Sequence, residues 1–206
     1  MKYVTSSVAV APIRKDPSHK SEMTSQLLFN EVAEVIEEEK QFAKIKCLYD
    51  DYEGWCANNQ IIESSTSDEA FSSVQLFEPE LIREVTLKFL DVPYLWGGKS
   101  YFGIDCSGFC QQVFKQFGIK LPRDAYQQAD KGEVVGFLQE AQCGDLAFFD
   151  NEEGRIIHVG IMLNIHEIIH ASGKVRIDKI DHQGIINSES GTRTHQLRII
   201  KRYKKP

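Results

Sequence analysis

The stretch ESSTSDEAFSSVQ, residues 63–75, is rich in Ser, Thr and acids and poor in large apolar groups. A segment of that composition adds little to a core, so it reads as a linker or long surface loop. It forces the chain to fold as two pieces. With 206 residues there is enough chain for two small domains. The expected organisation is one domain over 1–65, a linker over 66–78 and a second domain over 79–206.

The two sides of the tract differ in pattern. Before it, Ala43, Ile45 and Cys47 alternate with Lys44 and Lys46, and the turn-prone DPSH and YDDYEG interrupt the run. A small β barrel is expected there. After it, Pro79 suits the first turn of a helix, and Leu81, Val85 and Phe89 recur every four residues up to a stop before Pro93. The segment CSGFCQQVFKQFG predicts a second helix with Phe109, Val113, Phe114 and Phe117 on one side and Gly118 at its end. GDLAFFD, RIIHVGIML and EIIHASG then read as antiparallel strands. Helices followed by strands make this domain α+β.

Charged residues at 26% and apolar ones at 42% give no support to a disordered or fibrous chain. The net charge of -6 argues against non-specific nucleic-acid binding and against docking on an anionic membrane. The cluster Lys201, Arg202, Lys204 and Lys205 reads as a solvated tail. No run of residues is long and apolar enough for a membrane span, and MKYVTSSVAVAPIRKDPSHK has no apolar core of a signal peptide. A cytoplasmic protein is expected. Cysteines at 47, 56, 106, 110 and 143 are odd in number and include no zinc-like pair, so reduced thiols and no metal or other cofactor are expected.

Cys106 falls at the start of the second helix, where unpaired backbone N–H groups and the helix dipole favour a thiolate. It is a candidate nucleophile, although a small core residue would also sit well there. Ser107 and Gly108 would let a carbonyl approach, with the Cys106 amide as an oxyanion donor. Cys110, one turn on, reads as packing. A nucleophilic thiol needs a base and a group that orients the base. His158 and His170 lie on consecutive predicted strands joined near Asn164, so pairing would bring them together. His19, His182 and His195 read as surface residues.

Two other readings compete. His166, Glu167 and His170 spell H-E-x-x-H, a zinc-peptidase signature if the segment were helical, but its β-branched surroundings argue for a strand. The chain would alternatively be a non-catalytic peptide-binding module, against which the presence of Cys106, His158 and His170 together speaks.

YLWGG, DCSGF, LPRDAYQQ, GDLAFF, HVGI and IIHASG occur in the order and rough spacing of the NlpC family of cell-wall cysteine peptidases, which residues 79–200 resemble. The resemblance implies a papain-like α+β core with Cys106 as nucleophile, His158 as base and His170 as its orienting partner. It implies an oxyanion site at the Cys106 amide and the Tyr94 hydroxyl. Ala125 departs from the pattern, since many relatives carry serine there.

YDDYEGWC in turn resembles the strand and loop of a bacterial SH3-like barrel. Relatives that join such a barrel to this catalytic domain are γ-D-glutamyl-L-diamino acid endopeptidases of murein peptide recycling, in which the barrel closes one end of the cleft. The resemblance then implies that Tyr49 and Glu53, with Asp105 and Ser107 beside the cysteine, hold the free amine of an N-terminal L-Ala. The implied partner is a murein peptide, L-Ala-γ-D-Glu-diamino acid, and a monomer is expected. Such a clamp would reject an acylated amine, because only an ammonium makes charge-assisted hydrogen bonds to carboxylates.

Overall fold

A computed structural model describes residues 1–65 and 76–203. Most of the expected linker, and Lys204 and Lys205 of the basic cluster, lie outside the described residues.

Strands β1 (Tyr3–Ser6), β2 (Val10–Arg14), β3 (Met23–Leu28), β4 (Val32–Glu38), β5 (Phe42–Cys47), β6 (Glu53–Ala57) and β7 (Ile61–Glu63) form one sheet in the order β3-β2-β6-β5-β4-β1-β7. The period-two alternation of β5 buries Ala43, Ile45 and Cys47 against Val4, Ala11, Ile13 and Leu27. This is the small SH3-like barrel. Its Asp50 and Asp51 make the turn into β6, with Asp51 at φ 59°.

Helix α1 (Pro79–Leu87) opens the α+β unit with Pro at its start. It ends sooner than its periodicity predicts: Phe89 N–H bonds the Thr86 carbonyl in a tightened final turn, and Asp91 takes φ 66°. The buried face is Ile82, Val85 and Phe89, with Leu81 only partly covered. A hairpin of β8 (Lys99–Ser100) and β9 (Gly103–Ile104) leads into α2 (Cys106–Lys115), where Phe109, Cys110, Val113 and Phe114 are fully buried. Gly118 at φ 72° lets the chain turn away. A short α3 (Ala125–Ala129) follows.

The second sheet contains β10 (Glu133–Val135), β11 (Leu146–Asp150), β12 (Ile156–Met162), β13 (Glu167–Ser172), β14 (Lys174–Asp181), β15 (Gly184–Ile186) and β16 (Arg193–Arg202). Its order is β10-β16-β11-β12-β13-β14-β15, and β16 also pairs with β15, so the sheet closes on itself. Val159, Ile161, Ile169, Ala171 and Val175 pack under α2, while Phe149, Met162, Ile168, Ile180 and Ile185 form a separate cluster. Among the described residues no helix is long and apolar enough to cross a membrane.

Polar contacts join the two units. Buried Glu31 of the barrel accepts from Lys99 Nζ (3.2 Å) and Lys115 Nζ (3.0 Å). Gln26 Oε1 accepts from the Lys99 amide at 2.8 Å, and Glu22 accepts from the Trp96 indole at 2.8 Å. These bonds fasten β3 and the residues flanking it to the loop and hairpin that precede α2 and to the end of α2 itself.

Candidate active site

Asp105 caps α2, accepting from the Gly108 amide at 2.7 Å, and so places Cys106 in the first turn, where backbone N–H groups lack intrahelical partners. Asp105 also accepts from the Gly97 amide (2.9 Å) and forms a two-pronged pair with Arg123 (3.0 and 2.5 Å). Arg123 is 1% exposed and donates further to Ser107 Oγ (2.9 Å) and to Ser25 Oγ of the barrel (3.0 Å). Gly97 adopts φ 75°, and a Cβ there would run into the Met23 carbonyl of β3. The nucleophile loop is thus locked from both domains.

The Cys106 thiol sits against the backbone N–H of Val159, the residue after His158. Burial, then the nearby Asp105 charge, push the thiol up to about 12. Burial thus opposes the stabilisation that the helix terminus offers a thiolate. Gly108 is also recast. A Cβ there would collide with the Gly98 carbonyl, so its smallness admits a neighbouring loop rather than a substrate.

His158 and His170 meet as their strands allow: Gly160 pairs with His170, and His158 Nε2 lies 2.9 Å from His170 Nδ1. Behind them, Asp178 Oδ2 lies 3.0 Å from His170 Nε2. Burial and the charges of neighbouring imidazoles hold His158 well below the usual histidine range. Among the described residues no hydrogen bond joins the thiol to either imidazole; the two groups are neighbours through Val159.

His195 departs most from its expected place. Its ring stacks on His158 with centroids 4.2 Å apart and planes 25° from parallel. Burial and the His170 charge depress it to about 4. It lies on β16 rather than in a surface loop or tail, and the β11 strand between β16 and β12 brings it beside His158. Asp178 was also missed, although a tight HASGKVRID hairpin about Gly173 sets His170 opposite Arg176 and Asp178 diagonally beyond.

The cleft beside the thiol, about 440 Å³, is lined by Tyr94, Trp96, Asp105, Cys106, Ser107, Asp124, Tyr126, Ile156 and Ile157, and by Thr24 of the barrel. Tyr94 is held protonated by burial. Tyr49 and Glu53 are not in it. Tyr49 is buried between the domains with its hydroxyl donating to the Ile119 carbonyl (3.4 Å), and lines a separate cavity with Lys120 and Lys131. Glu53 starts β6 and pairs with Lys44 at 3.2 Å. The barrel docks through β3, whose Thr24 lines the cleft, and through the YDDYEG turn, where Asp50 accepts from Gln111 Nε2 at 2.8 Å. Asp105 and Ser107 do line the cleft, but Arg123 and backbone amides occupy the carboxylate. Glu167 and His170 lie on strand β13 with His166 just before it, so the helical turn that H-E-x-x-H chemistry requires is not formed.

Residues 91–193 match the model of the NlpC/P60 family, and residues 13–61 match that of the bacterial dipeptidyl-peptidase Sh3 domain. A γ-D-glutamyl-L-lysine dipeptidyl-peptidase from Bacillus subtilis is 48% identical over 85 residues, covering 40% of this chain and 28% of that protein. A protein of the same name from Bacillus cereus is 37% identical over 112 residues, covering 52% of this chain and 33% of that one. The matches therefore span a third or less of those relatives. A murein DD-endopeptidase/murein LD-carboxypeptidase from Escherichia coli K12 is 36% identical over 130 residues, covering 56% of this chain and 68% of that one. A crystal structure of a Bacillus cereus protein shares the fold with TM-score 0.57 at 24% identity, covering 98% of this chain and 63% of that one.

Proposed function

The chain belongs to the NlpC/P60 family, and on that footing we propose that it is a cysteine peptidase that cleaves free murein peptides between γ-D-glutamate and the following diamino acid. The observation that carries this reading is a thiol at a helix N-terminus one residue away, along β12, from a hydrogen-bonded His158–His170–Asp178 series. The matched dipeptidyl-peptidase Sh3 domain, and the relatives named as acting at γ-D-glutamyl-L-lysine, support the substrate.

Burial disfavours both the thiolate and the imidazolium, and on this reading proton transfer accompanies attack. The thiol proton passes to His158 while Sγ bonds the γ-D-glutamyl carbonyl carbon; the hydrogen bond between thiol and imidazole forms when substrate binds, as is usual for catalytic pairs that are loose in the unliganded protein. The oxyanion meets the Cys106 amide and the Tyr94 hydroxyl. The His158 imidazolium protonates the departing amine, the tetrahedral adduct collapses to a thioester, and water cleaves it with His158 again as base.

The amine subsite is reassigned. Asp105 forms a two-pronged pair with Arg123, whereas Asp124, which caps α3 through the Gln127 amide and lines the same cleft beside Arg123, has its carboxyl raised by burial. A desolvated carboxyl gains most when a cation arrives, so Asp124, which shares the cleft with Thr24, receives the ammonium of the N-terminal L-Ala. Such a preference for unacylated peptides suits salvage of murein fragments.

Mass spectrometry of digests of L-Ala-γ-D-Glu-diaminopimelate beside its N-acetyl form tests both claims. The free peptide is cleaved and the acetylated one is not, and Asp124→Asn erases the difference. Equal cleavage by the unaltered protein overturns the amine subsite; turnover surviving Cys106→Ala overturns the nucleophile.

A further inference from the structure

Granting Cys106 as nucleophile and His158 as base, as proposed above, the base works only if its free lone pair is on the right nitrogen. That choice is made two residues away from it in space. Asp178 is 2% exposed, yet every neighbour favours its charge. Its Oδ1 accepts from the Ser188 amide (2.8 Å), the Ser188 hydroxyl (2.8 Å) and the Arg176 guanidinium (3.1 Å). Its Oδ2 faces Arg176 Nε at 2.8 Å and His170 Nε2 at 3.0 Å.

A carboxylate so surrounded only accepts hydrogen bonds. His170 Nε2 must therefore carry a proton, which leaves Nδ1 of neutral His170 bare. The 2.9 Å contact from that Nδ1 to His158 Nε2 then needs its hydrogen from His158. One tautomer of His158 satisfies this, with Nε2 protonated and Nδ1 carrying the lone pair. Among the described residues Nδ1 has no hydrogen-bond partner, so it is the nitrogen available to a reacting thiol.

We propose that Asp178 is a positioning residue which, held as a carboxylate by Arg176 and Ser188, fixes the tautomers of both imidazoles and leaves His158 Nδ1 as the catalytic base. The proton taken from Cys106 lands on Nδ1 and later leaves from it, while the Nε2–H to His170 and His170 Nε2–H to Asp178 bonds keep their direction throughout. No hydrogen bond behind the base has to reverse during turnover. The bonds of Asp178 to Ser188 also tie β14 to the β15–β16 connection, and its bond to Arg176 braces β14 itself, so a purely structural role would make the same contacts.

Nitrogen-15 NMR of the imidazoles separates the two roles and needs no variant. At neutral pH the unaltered, unliganded protein shows His158 and His170 both as the Nε2–H tautomer; His158 protonated on Nδ1 overturns the proposal. Asp178→Asn keeps the Ser188 contacts at its carbonyl but turns an NH2 toward His170 Nε2, reversing both tautomers. The expected result is a kcat loss on the order of 10³-fold or more, with KM within a factor of two. Unchanged kcat and an unchanged nitrogen-15 pattern in Asp178→Asn reduce Asp178 to a strap. Because the tautomers are read without substrate, this outcome is independent of the Cys106→Ala result, which alone decides whether the nucleophile is correctly assigned.

Discussion

At the scale of single residues, the site combines a thiol that resists ionisation with an imidazole that resists protonation. Protonating His158 removes the proposed base, so kcat/KM is expected to fall as pH drops. Because burial and the facing His170 and His195 rings disfavour the imidazolium, that fall is expected below the ordinary value of 6.5. A pH–rate profile checks it; an acid limb at or above 6.5 would mean that the base lies in a different environment. Linkage gives the same direction for stability. The unfolded chain takes up the His158 proton near 6.5 and the folded one does not, so stability is lost as pH falls through and below that point. Cys106, His158 and His170 were legible because their chemistry is written in local motifs. Asp178 and His195 were not, since each reaches the site across a strand boundary. Tyr49 and Glu53 do not line the cleft, because spacing within a turn says nothing of how a barrel docks.

At the scale of elements, α2 is set by its contact with the loop before β8. Gly108→Ala gains about 1 kcal/mol of helix propensity, but its Cβ meets the fixed Gly98 carbonyl, and overpacking of that kind costs about 1–3 kcal/mol or more. The clash wins, because a backbone oxygen cannot swing aside as a side chain would. Calorimetry is expected to show a midpoint lower by about 2–8 °C, with a loss of kcat as the helix start is displaced. An unchanged midpoint would show that the loop yields freely. The apolar spacing of α2 and the β-branched runs of β12 and β13 announced these elements in sequence. The early end of α1 was hidden, because Phe89 continues the helical period from a turn that is no longer helical.

At the scale of the whole molecule, the interface is built around a buried charge cluster. Glu31 is held down to about 2 by Lys99 and Lys115 against the cost of its burial. Its stabilisation is present above 4.5 and is lost as pH falls toward about 2, the sign expected of a depressed carboxyl. Glu31→Gln leaves Lys99, 1% exposed, without its counter-charge, which costs about 3–5 kcal/mol and lowers the midpoint by on the order of 10 °C. Thermal melts of the variant at neutral pH check this; a shift under about 2 °C would show that water reaches Lys99 and replaces the pair. Nothing in the sequence marked Glu31 or Lys99, because a buried ion pair between domains has no local signature.

The closure of the second sheet has a bearing on biosynthesis. Since β16 pairs with β10, β11 and β15, the ring cannot be completed until the ribosome has delivered Arg202, long after Cys106 has emerged. The barrel, whose strands all come early, has its partners in hand well before that. A nascent chain thus carries a finished docking platform before its α+β half can assemble, and the half that holds the proposed nucleophile matures last.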